Sequence, residues 1–214
     1  MMHRIYDLSC ARLYLTEQEV MDGFGHVIWD AAFLLVKHLE QLGTRSLRGK
    51  RCLEVGSGVG LVGICAAALG AKVVLTDMPS ALHLTQLNVD RSQPLVRQQG
   101  GEISVAPLLW GTPVNHLGGP FDFVLASDVV YDNDLFAPLI ASLVSLCSRD
   151  TDLLLSARER HGCDFSLFVT QLGEHFSGSV LTLEGAAANL AEASVISKAK
   201  NKPHIYRLRK KETA

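Results

Sequence analysis

A glycine-rich turn is the part of this 214-residue chain whose residue spacing points most directly to chemistry. Residues 53–63 read LEVGSGVGLVG and stand between a short apolar run and a helix-forming stretch of small residues. Gly56, Gly58 and Gly60 allow a sharp turn and a close approach of a ligand, which the N–H groups that open the next helix then face. Asp77 follows seventeen residues after Gly60, where its carboxylate can accept hydrogen bonds from the vicinal hydroxyls of a ribose. This spacing predicts a site for a cofactor that contains a nucleoside.

The same turn permits other interpretations. Gly58, Gly60 and Gly63 also match the G-x-G-x-x-G pattern of dinucleotide-binding proteins, which by itself is weak evidence. A tight strand-to-helix turn with an incidental loop aspartate would produce the same letters. The turn therefore favours a nucleoside cofactor and leaves its identity open.

The elements around the turn alternate between short β-rich runs and longer helical patterns, which is typical of an α/β fold with a mainly parallel sheet. The β-rich runs predict strands at 51–55, 72–76, 102–106, 121–127 and 152–157. The helical patterns predict helices at about 28–42, 60–69, 80–91, 134–147 and 162–175, with Gly43 ending the first and Asp132 or Asp134 capping the fourth. Two later runs, 179–183 and 204–209, have no convincing helix between them and predict a hairpin that finishes the sheet.

Composition narrows the class of protein. The chain has 20 Lys and Arg against 22 Asp and Glu, and a net charge of −2 provides no broad basic field for binding a nucleic acid. Its five cysteines are widely spaced and never form a Cys-x-x-Cys pair, which argues against a disulfide framework and a metal site.

No stretch approaches the roughly 20 apolar residues of a membrane span, and the N-terminus does not read as a secretory signal. We expect a monomer with no metal, in the cytoplasm and also in the nucleus, in which residues 1–27 are an N-terminal extension of one domain formed by residues 28–214.

Three further stretches give the chain a resemblance to a known family. They are GFGHVIWDAAFLL at 23–35, PLLW at 107–110 and LASDVVY at 125–131. Combined with LEVGSGVGLVG, with TDM and with the C-terminal HIYRLRKK, they make the chain resemble the lysine methyltransferase branch, family 16, of the seven-β-strand S-adenosylmethionine-dependent methyltransferases. Within that branch the chain is most similar to enzymes that methylate lysines of the Hsp70 chaperone and of the valosin-containing AAA ATPase.

This resemblance implies a fold, an activity and a set of site residues. The fold is a Rossmann-like, seven-stranded, mostly parallel sheet with helices on both faces and an antiparallel C-terminal strand. The activity is protein-lysine N-methylation with S-adenosyl-L-methionine as cofactor and S-adenosyl-L-homocysteine as product, on a protein substrate such as a chaperone or an AAA ATPase. The implied cofactor contacts are Trp29, Glu54, Gly56, Ser57, Gly58, Asp77, Met78, Trp110 and Ala126. The implied catalytic residues are Asp128 and Tyr131, which match the acidic-x-x-aromatic motif of the branch after the fourth strand.

The chemistry of methyl transfer agrees with these roles. Displacement at a sulfonium methyl requires that nucleophile, methyl and leaving sulfur are aligned and that water is excluded, and the aromatic faces of Trp29, Trp110 and Tyr131 suit a sulfonium cation. A lysine amine attacks only when it is neutral, whereas a nearby carboxylate favours the ammonium form. We therefore assign Asp128 to binding and orientation and leave the proton acceptor open. Glu54 reaches either the amino group of the cofactor or nearby backbone N–H groups.

Other residues and activities have competing interpretations. Asp30 is expected to cap the first helix, and Arg158 with Glu159 to lie in a solvated loop rather than in a substrate groove. An NAD-dependent oxidoreductase would share the glycine turn but would not account for WDAA, LLW or SDVVY. A methyltransferase for another nucleophile, such as a small molecule, another side chain or a nucleic acid, and a non-catalytic S-adenosylmethionine-binding interaction protein remain alternatives. Methylation of a nucleic-acid base is disfavoured because DVVY lacks the prolines common in such enzymes.

Overall fold

The computed structural model describes residues 1–7, 12–17, 28–181, 187–189 and 202–212. The strands are β1 (Met2–Asp7), β2 (Arg12–Glu17), β3 (Arg51–Val55), β4 (Lys72–Asp77), β5 (Glu102–Pro107), β6 (Phe123–Ser127), β7 (Asp152–Ala157), β8 (Phe176–Leu181), β9 (Ala187–Asn189) and β10 (His204–Lys210). The helices are α1 (Asp30–Leu47), α2 (Leu61–Ala68), α3 (Leu82–Gln98), α4 (Phe136–Leu146) and α5 (Phe165–His175). The start of the GFGHVIWDAAFLL stretch and the end of the predicted strand 179–183 lie outside the described residues.

The central sheet has the predicted mostly parallel architecture. Its order is β5-β4-β3-β6-β7-β10-β8-β9, and the first five strands of that order pair in parallel. β10 is antiparallel to both of its neighbours, β7 and β8. Strands β3 to β8 with β10 are the seven expected strands, so the predicted fold class is confirmed. The short β9 adds an edge strand that the sequence did not predict, and β10 lies between β7 and β8 rather than at the margin of the sheet.

Helices cover both faces of this sheet because its strands are apolar on both sides. In β7, Leu153 and Leu155 belong to the apolar cluster that contains buried residues of α4 and α5. Leu154, which points to the opposite face, belongs to the cluster that contains buried residues of α1, α2 and α3. The alternation of side chains along a strand thus fixes which helices lie on which face.

Several boundaries differ from the predicted ones. Gly43 interrupts α1 with a non-helical backbone, as predicted, but helical residues resume beyond it as far as Leu47. α3 continues past residue 91 to Gln98 although Pro94 lies inside it, and Val96 is fully buried in that extension. A proline removes one backbone donor, and the packing of the last turn outweighs that loss.

The expected cap at Asp30 is wrong, since Trp29 occupies the N-cap position and Asp30 is the first helical residue. The Oδ2 atom of Asp30 instead accepts a hydrogen bond from Arg158 at 2.9 Å. The predicted cap of the fourth helix is wrong in its position, since the N-cap of α4 is Leu135, which makes no side-chain cap bond. Asp132 instead caps the short 3-10 turn Asn133–Leu135 that leads into α4, where its side chain accepts the Asp134 N–H.

The N-terminal residues contain a hairpin that the sequence did not predict. β1 and β2 pair in antiparallel fashion, and β2 contacts α3. Leu13 and Leu15 of β2 are buried in the cluster that includes residues of α3. In the ranges that the structure describes, none of the helices is long and apolar enough to cross a bilayer.

Candidate functional site

The glycine-rich loop connects the end of β3 to the start of α2. Gly56, Gly58 and Gly60 have φ angles of 66°, 52° and 90°, a region that other L-residues rarely adopt. The Ser57 N–H donates to the Thr76 carbonyl at 2.9 Å, and the Gly60 N–H donates to the Ser57 carbonyl at 2.8 Å. The loop therefore turns around the end of β4, and its glycines are required by the backbone.

Asp77 lies at the end of β4 and contacts this loop directly. Its Oδ2 accepts the Gly58 N–H at 2.8 Å, and its Oδ1 accepts the Met78 N–H at 2.7 Å. A carboxylate at the end of such a strand is the type of group that accepts the two hydroxyls of a ribose. The structure thus brings together the two features whose spacing predicted a nucleoside site.

Glu54 is buried beneath the loop, with 1% of its surface exposed. Its Oε2 accepts the Gly63 N–H of α2 at 2.8 Å, which is the backbone contact that the sequence left as one of two possibilities. Burial raises the pKa of Glu54 to about 8, with the Gly63 N–H acting against this shift and the charge of Asp77 adding to it. A contact between Glu54 and the cofactor stays a prediction.

Helix α3 supports the loop from behind, through two residues that sequence reasoning missed. The Thr85 hydroxyl donates to the Gly58 carbonyl, and the Asn88 side-chain amide donates to the Val59 carbonyl at 2.9 Å. Both side chains are fully buried. Their polar character at buried helical positions was the signal available in the sequence, because a buried polar side chain needs a partner.

Trp110, which follows β5, and Val129, which follows β6, lie over the first glycine. A Cβ atom built on Gly56 would lie 2.7 Å from Val129 Cγ1 and 3.3 Å from Trp110 Cζ2. The rings of Trp110 and Tyr131 have centroids 6.3 Å apart with an interplanar angle of 53°. Burial, followed by the charges of Asp77 and Asp132, raises the pKa of the Tyr131 phenol. The ends of β3, β4, β5 and β6 therefore contribute to one edge of the sheet.

Asp128 follows β6 at the same edge and is paired with an arginine. Its backbone has a φ of 58°, unusual for a residue other than glycine, and its N–H donates to the Ser156 carbonyl at 2.8 Å. Arg160 donates from Nε to Oδ1 at 3.2 Å and from Nη2 to Oδ2. The same guanidinium lies over the Trp29 ring, 4.4 Å from its centroid. Sequence reasoning missed Arg160, because nothing in the charged run SARERHG tells which arginine turns inward.

The remaining expected cofactor residues have different exposures. Ala126 is fully buried in the apolar cluster, so a contact between Ala126 and the cofactor stays a prediction. Met78 is 46% exposed beside Asp77. The Ser57 hydroxyl is buried and has no hydrogen-bond partner within the described residues.

These features fit a nucleoside-containing cofactor. An acceptor carboxylate, a buried hydroxyl in need of a partner and glycines that admit close approach lie within one loop and its neighbouring strand end. Among the residues whose placement is described, no group of three or more His, Cys, Asp or Glu side chains could hold a metal ion.

Comparisons with known proteins agree with this geometry. The chain is 39% identical to the protein N-lysine methyltransferase METTL21A of Danio rerio over 173 residues, which cover 80% of this chain and 78% of that protein. It is 36% identical to the EEF1A lysine methyltransferase 3 of Mus musculus over 151 residues, which cover 70% of this chain and 62% of that protein. The solved structure of the N-methyltransferase NodS from Bradyrhizobium japonicum, in complex with S-adenosyl-L-homocysteine, matches with a TM-score of 0.58 and 18% identity over 90% of each chain.

The family model described as lysine methyltransferase matches residues 10–175. This match confirms the predicted class of enzyme, an S-adenosylmethionine-dependent methyltransferase, and removes the NAD-dependent oxidoreductase from the alternatives. On the strength of that match and of the 39% identity to METTL21A of Danio rerio, the chain belongs to the lysine methyltransferase family.

Proposed function

We propose that this chain methylates the ε-amine of a lysine in a folded protein, at the edge of the sheet where Asp77 and Asp128 lie. The observation that carries the proposal is the position of two acidic groups at that edge. Asp77 accepts a hydrogen bond from the N–H of Gly58 in the glycine-rich loop. Asp128 and Tyr131 follow the end of β6. One carboxylate suits a ribose and the other suits a substrate amine.

The cofactor half of the site consists of residues around the loop. S-adenosylmethionine supplies an electrophilic methyl group on a sulfonium sulfur. Asp77 accepts the ribose hydroxyls, the Ser57 hydroxyl supplies a polar contact, and Gly56 and Gly58 admit the ligand close to the backbone. Trp110 presents an aromatic face to the cationic end, an interaction worth about 0.5–2 kcal/mol.

The substrate half orients the lysine and excludes water. Asp128 accepts a hydrogen bond from the amine, and Tyr131, whose ring lies beside that of Trp110, forms an aromatic wall of the site. The nitrogen lone pair forms the new bond to the methyl carbon as the carbon–sulfur bond breaks and its electron pair stays on sulfur. The amine must first lose its ammonium proton to solvent or to Asp128, since only the neutral form has a lone pair to donate. Alignment of these groups is the main contribution that the protein makes.

The substrate that we propose is an ATP-driven chaperone of the Hsp70 type or an AAA ATPase, acted on by a monomeric enzyme in the cytoplasm. The motif resemblance to enzymes with those substrates supports the choice, and a net charge of −2 favours a folded protein over a polyanion. EEF1A is the competing substrate, because a relative 36% identical to this chain is named as an EEF1A lysine methyltransferase.

A labelling experiment tests the activity and the substrate together. The enzyme is incubated with methyl-labelled S-adenosylmethionine and with recombinant Hsp70, valosin-containing AAA ATPase or EEF1A, and in parallel with a cell extract. Labelled proteins are then hydrolysed to identify the modified amino acid. We expect methyl-lysine with wild type and a loss of label with Asp77→Asn and with Asp128→Asn. Label on arginine, histidine or nucleic acid without label on lysine would exclude the activity, and methyl-lysine on EEF1A alone would exclude the chaperone and the AAA ATPase.

A further inference from the structure

Arg160 occupies the position at which the substrate cation was expected. Its guanidinium contacts both oxygens of Asp128 and covers one face of Trp29, so a resident cation lies between the two residues assigned to bind cations. The Asp128 side chain is only 4% exposed and that of Arg160 is 19% exposed. A pair this sheltered from water interacts more strongly than a surface ion pair.

Three charged groups face Asp128. Arg160 and Arg158 come from the segment after β7, and Asp30 comes from the first turn of α1. Arg158 pairs with Asp30 at 2.9 Å, so these two charges offset one another. Burial raises the pKa of the Asp128 carboxyl above its usual range, while Arg160 acts in the opposite direction. Arg160 is therefore the main group that compensates the charge of Asp128.

We propose that Arg160 is a positioning residue that neutralises Asp128, so that the carboxylate can orient the substrate lysine without holding it as an unreactive ammonium ion. This inference rests on the proposed lysine methylation.

The chemistry of the amine gives the reason. A bare carboxylate beside a lysine raises the pKa of the amine and lowers the fraction that can attack. The ion pair of a carboxylate with a guanidinium has no net charge as a whole, yet only about two of the roughly four acceptor positions of the carboxylate are taken. Asp128 can then still accept a hydrogen bond from the neutral amine. The Trp29 face holds the guanidinium in this place, and its planar fork suits a two-point contact that a lysine ammonium cannot make.

The test compares Arg160→Gln with Arg160→Lys and with the control Arg149→Gln, which removes an exposed arginine that pairs with Glu212 and does not face Asp128. The substrate is whichever of recombinant Hsp70, valosin-containing AAA ATPase and EEF1A the wild type methylates. kcat and KM are measured at pH 8, and the rate of a single turnover is measured from pH 7 to pH 10.5. Circular dichroism establishes that each variant is folded.

We expect Arg160→Gln to lower kcat about tenfold. We expect it to lower KM as well, because the bare carboxylate captures the ammonium form more tightly. The apparent pKa of the single-turnover rate should rise by about one unit, so that wild type and variant converge at the most alkaline pH. Arg160→Lys keeps the charge and should recover much of kcat, and Arg149→Gln should follow the wild-type profile.

Other outcomes overturn the inference. A loss of kcat without a fall in KM, and with no shift of the apparent pKa, would mean that Arg160 has only a structural role. A gain of kcat at every pH would mean that Arg160 merely obstructs the lysine. If Arg160→Gln does not fold, the test depends on Arg160→Lys. An Arg160→Lys enzyme with the same pH profile as Asp128→Asn would contradict charge compensation. If wild type methylates no lysine, the proposed function fails as well, whereas an active wild type with an unshifted variant refutes this inference alone.

Discussion

The Gly58 N–H donates to Asp77 Oδ2 at 2.8 Å, so the carboxylate expected to bind the ribose also fixes the loop on which the cofactor would lie. A second N–H, from Met78, reaches the other oxygen. Two backbone donors hold the side chain in place before any ligand arrives. Such preorganisation reduces the ordering that binding would otherwise require.

Asp77→Asn should weaken the binding of S-adenosylmethionine by about 10- to 100-fold, because hydrogen bonds to a charged acceptor contribute about 1.5–3 kcal/mol. Isothermal titration calorimetry measures the dissociation constant. The control is Asp122→Asn, whose carboxylate accepts hydrogen bonds from Lys50 and from the Arg51 N–H at the opposite end of β3. Equal affinity of the Asp77 variant and wild type would remove Asp77 from the cofactor site.

Glu54→Gln should make the protein more stable above neutral pH. The folded-state pKa of about 8 lies above the usual value of 4.5, so the folded protein retains a proton that the unfolded chain releases between these two pH values. The free energy of unfolding of wild type therefore falls as pH rises from about 4.5 to 8, by an amount on the order of 3–5 kcal/mol from this group.

Urea unfolding of wild type and Glu54→Gln at pH 5, 7 and 9 checks this. A glutamine can still accept the Gly63 N–H, and the advantage of the variant should grow with pH. A difference that does not change with pH would show that the buried carboxyl keeps an ordinary pKa.

Gly56→Ala should destabilise the protein more than Gly49→Ala. Both glycines have positive φ, so each alanine costs about 1–2 kcal/mol in backbone strain. The new methyl at residue 56 would lie 2.7 Å from Val129 Cγ1, whereas none of the described residues lies within 4 Å of a methyl at residue 49. Overpacking adds about 1–3 kcal/mol.

Thermal or urea unfolding gives the difference between these two glycine variants. Adding Val129→Ala to Gly56→Ala should recover the part of the stability that overpacking removed. The same substitution added to Gly49→Ala should recover no stability. Equal losses at the two glycines would contradict the close contact seen at Gly56.

Asn88→Ala should loosen both the N-terminal hairpin and the glycine-rich loop. Its amide donates to the Thr16 and Val59 carbonyls, and its Oδ1 accepts the Thr16 N–H at 2.7 Å. Removal of the Asn88 side chain leaves buried backbone polar groups without partners, and each unpaired group lowers the stability by about 1–3 kcal/mol. We expect lower stability, faster proteolysis within residues 1–17 and weaker binding of S-adenosylmethionine.

The control is Gln86→Ala on the same helix, where the side chain donates a hydrogen bond to the exposed Asp90. That variant should behave like wild type in unfolding, proteolysis and calorimetry. If Asn88→Ala loses stability but keeps its affinity for the cofactor, the hairpin and the loop are not coupled through Asn88.

The sequence predicted the parallel part of the fold well because buried strands and amphipathic helices leave periodic patterns. The run DLLLSA at residues 152–157 is an example, since every residue of β7 is buried. The hairpin of β1 and β2 escaped prediction although Leu13 and Leu15 alternate with exposed residues, because the alternation is confined to β2 and none of the described side chains of β1 is buried. The place of β10 between β7 and β8 depends on long-range pairing that no local pattern encodes.

The contacts of the candidate site also divide into those that the sequence predicted and those that it did not. The partnership of the glycine-rich loop with Asp77 was predictable, since both follow neighbouring parallel strands and the carboxyl ends of such strands meet at one edge. The contact of Arg160 with Asp128 was not, because it joins two loops that are distant in the sequence. Glu54 shows a third situation, in which the sequence allowed two partners and the structure displays one of them, the Gly63 N–H.

The interior position of β10 has a consequence for synthesis on the ribosome. Among the described strands, β8 reaches the rest of the sheet only through β10, which follows it in the chain. A nascent chain can pair β3 to β7 as they emerge, but the edge of β7, with Leu153 and Leu155, stays open until residues 204–210 have been translated. Unpaired apolar edges promote aggregation, so this interval is when the nascent protein would depend most on assistance from chaperones.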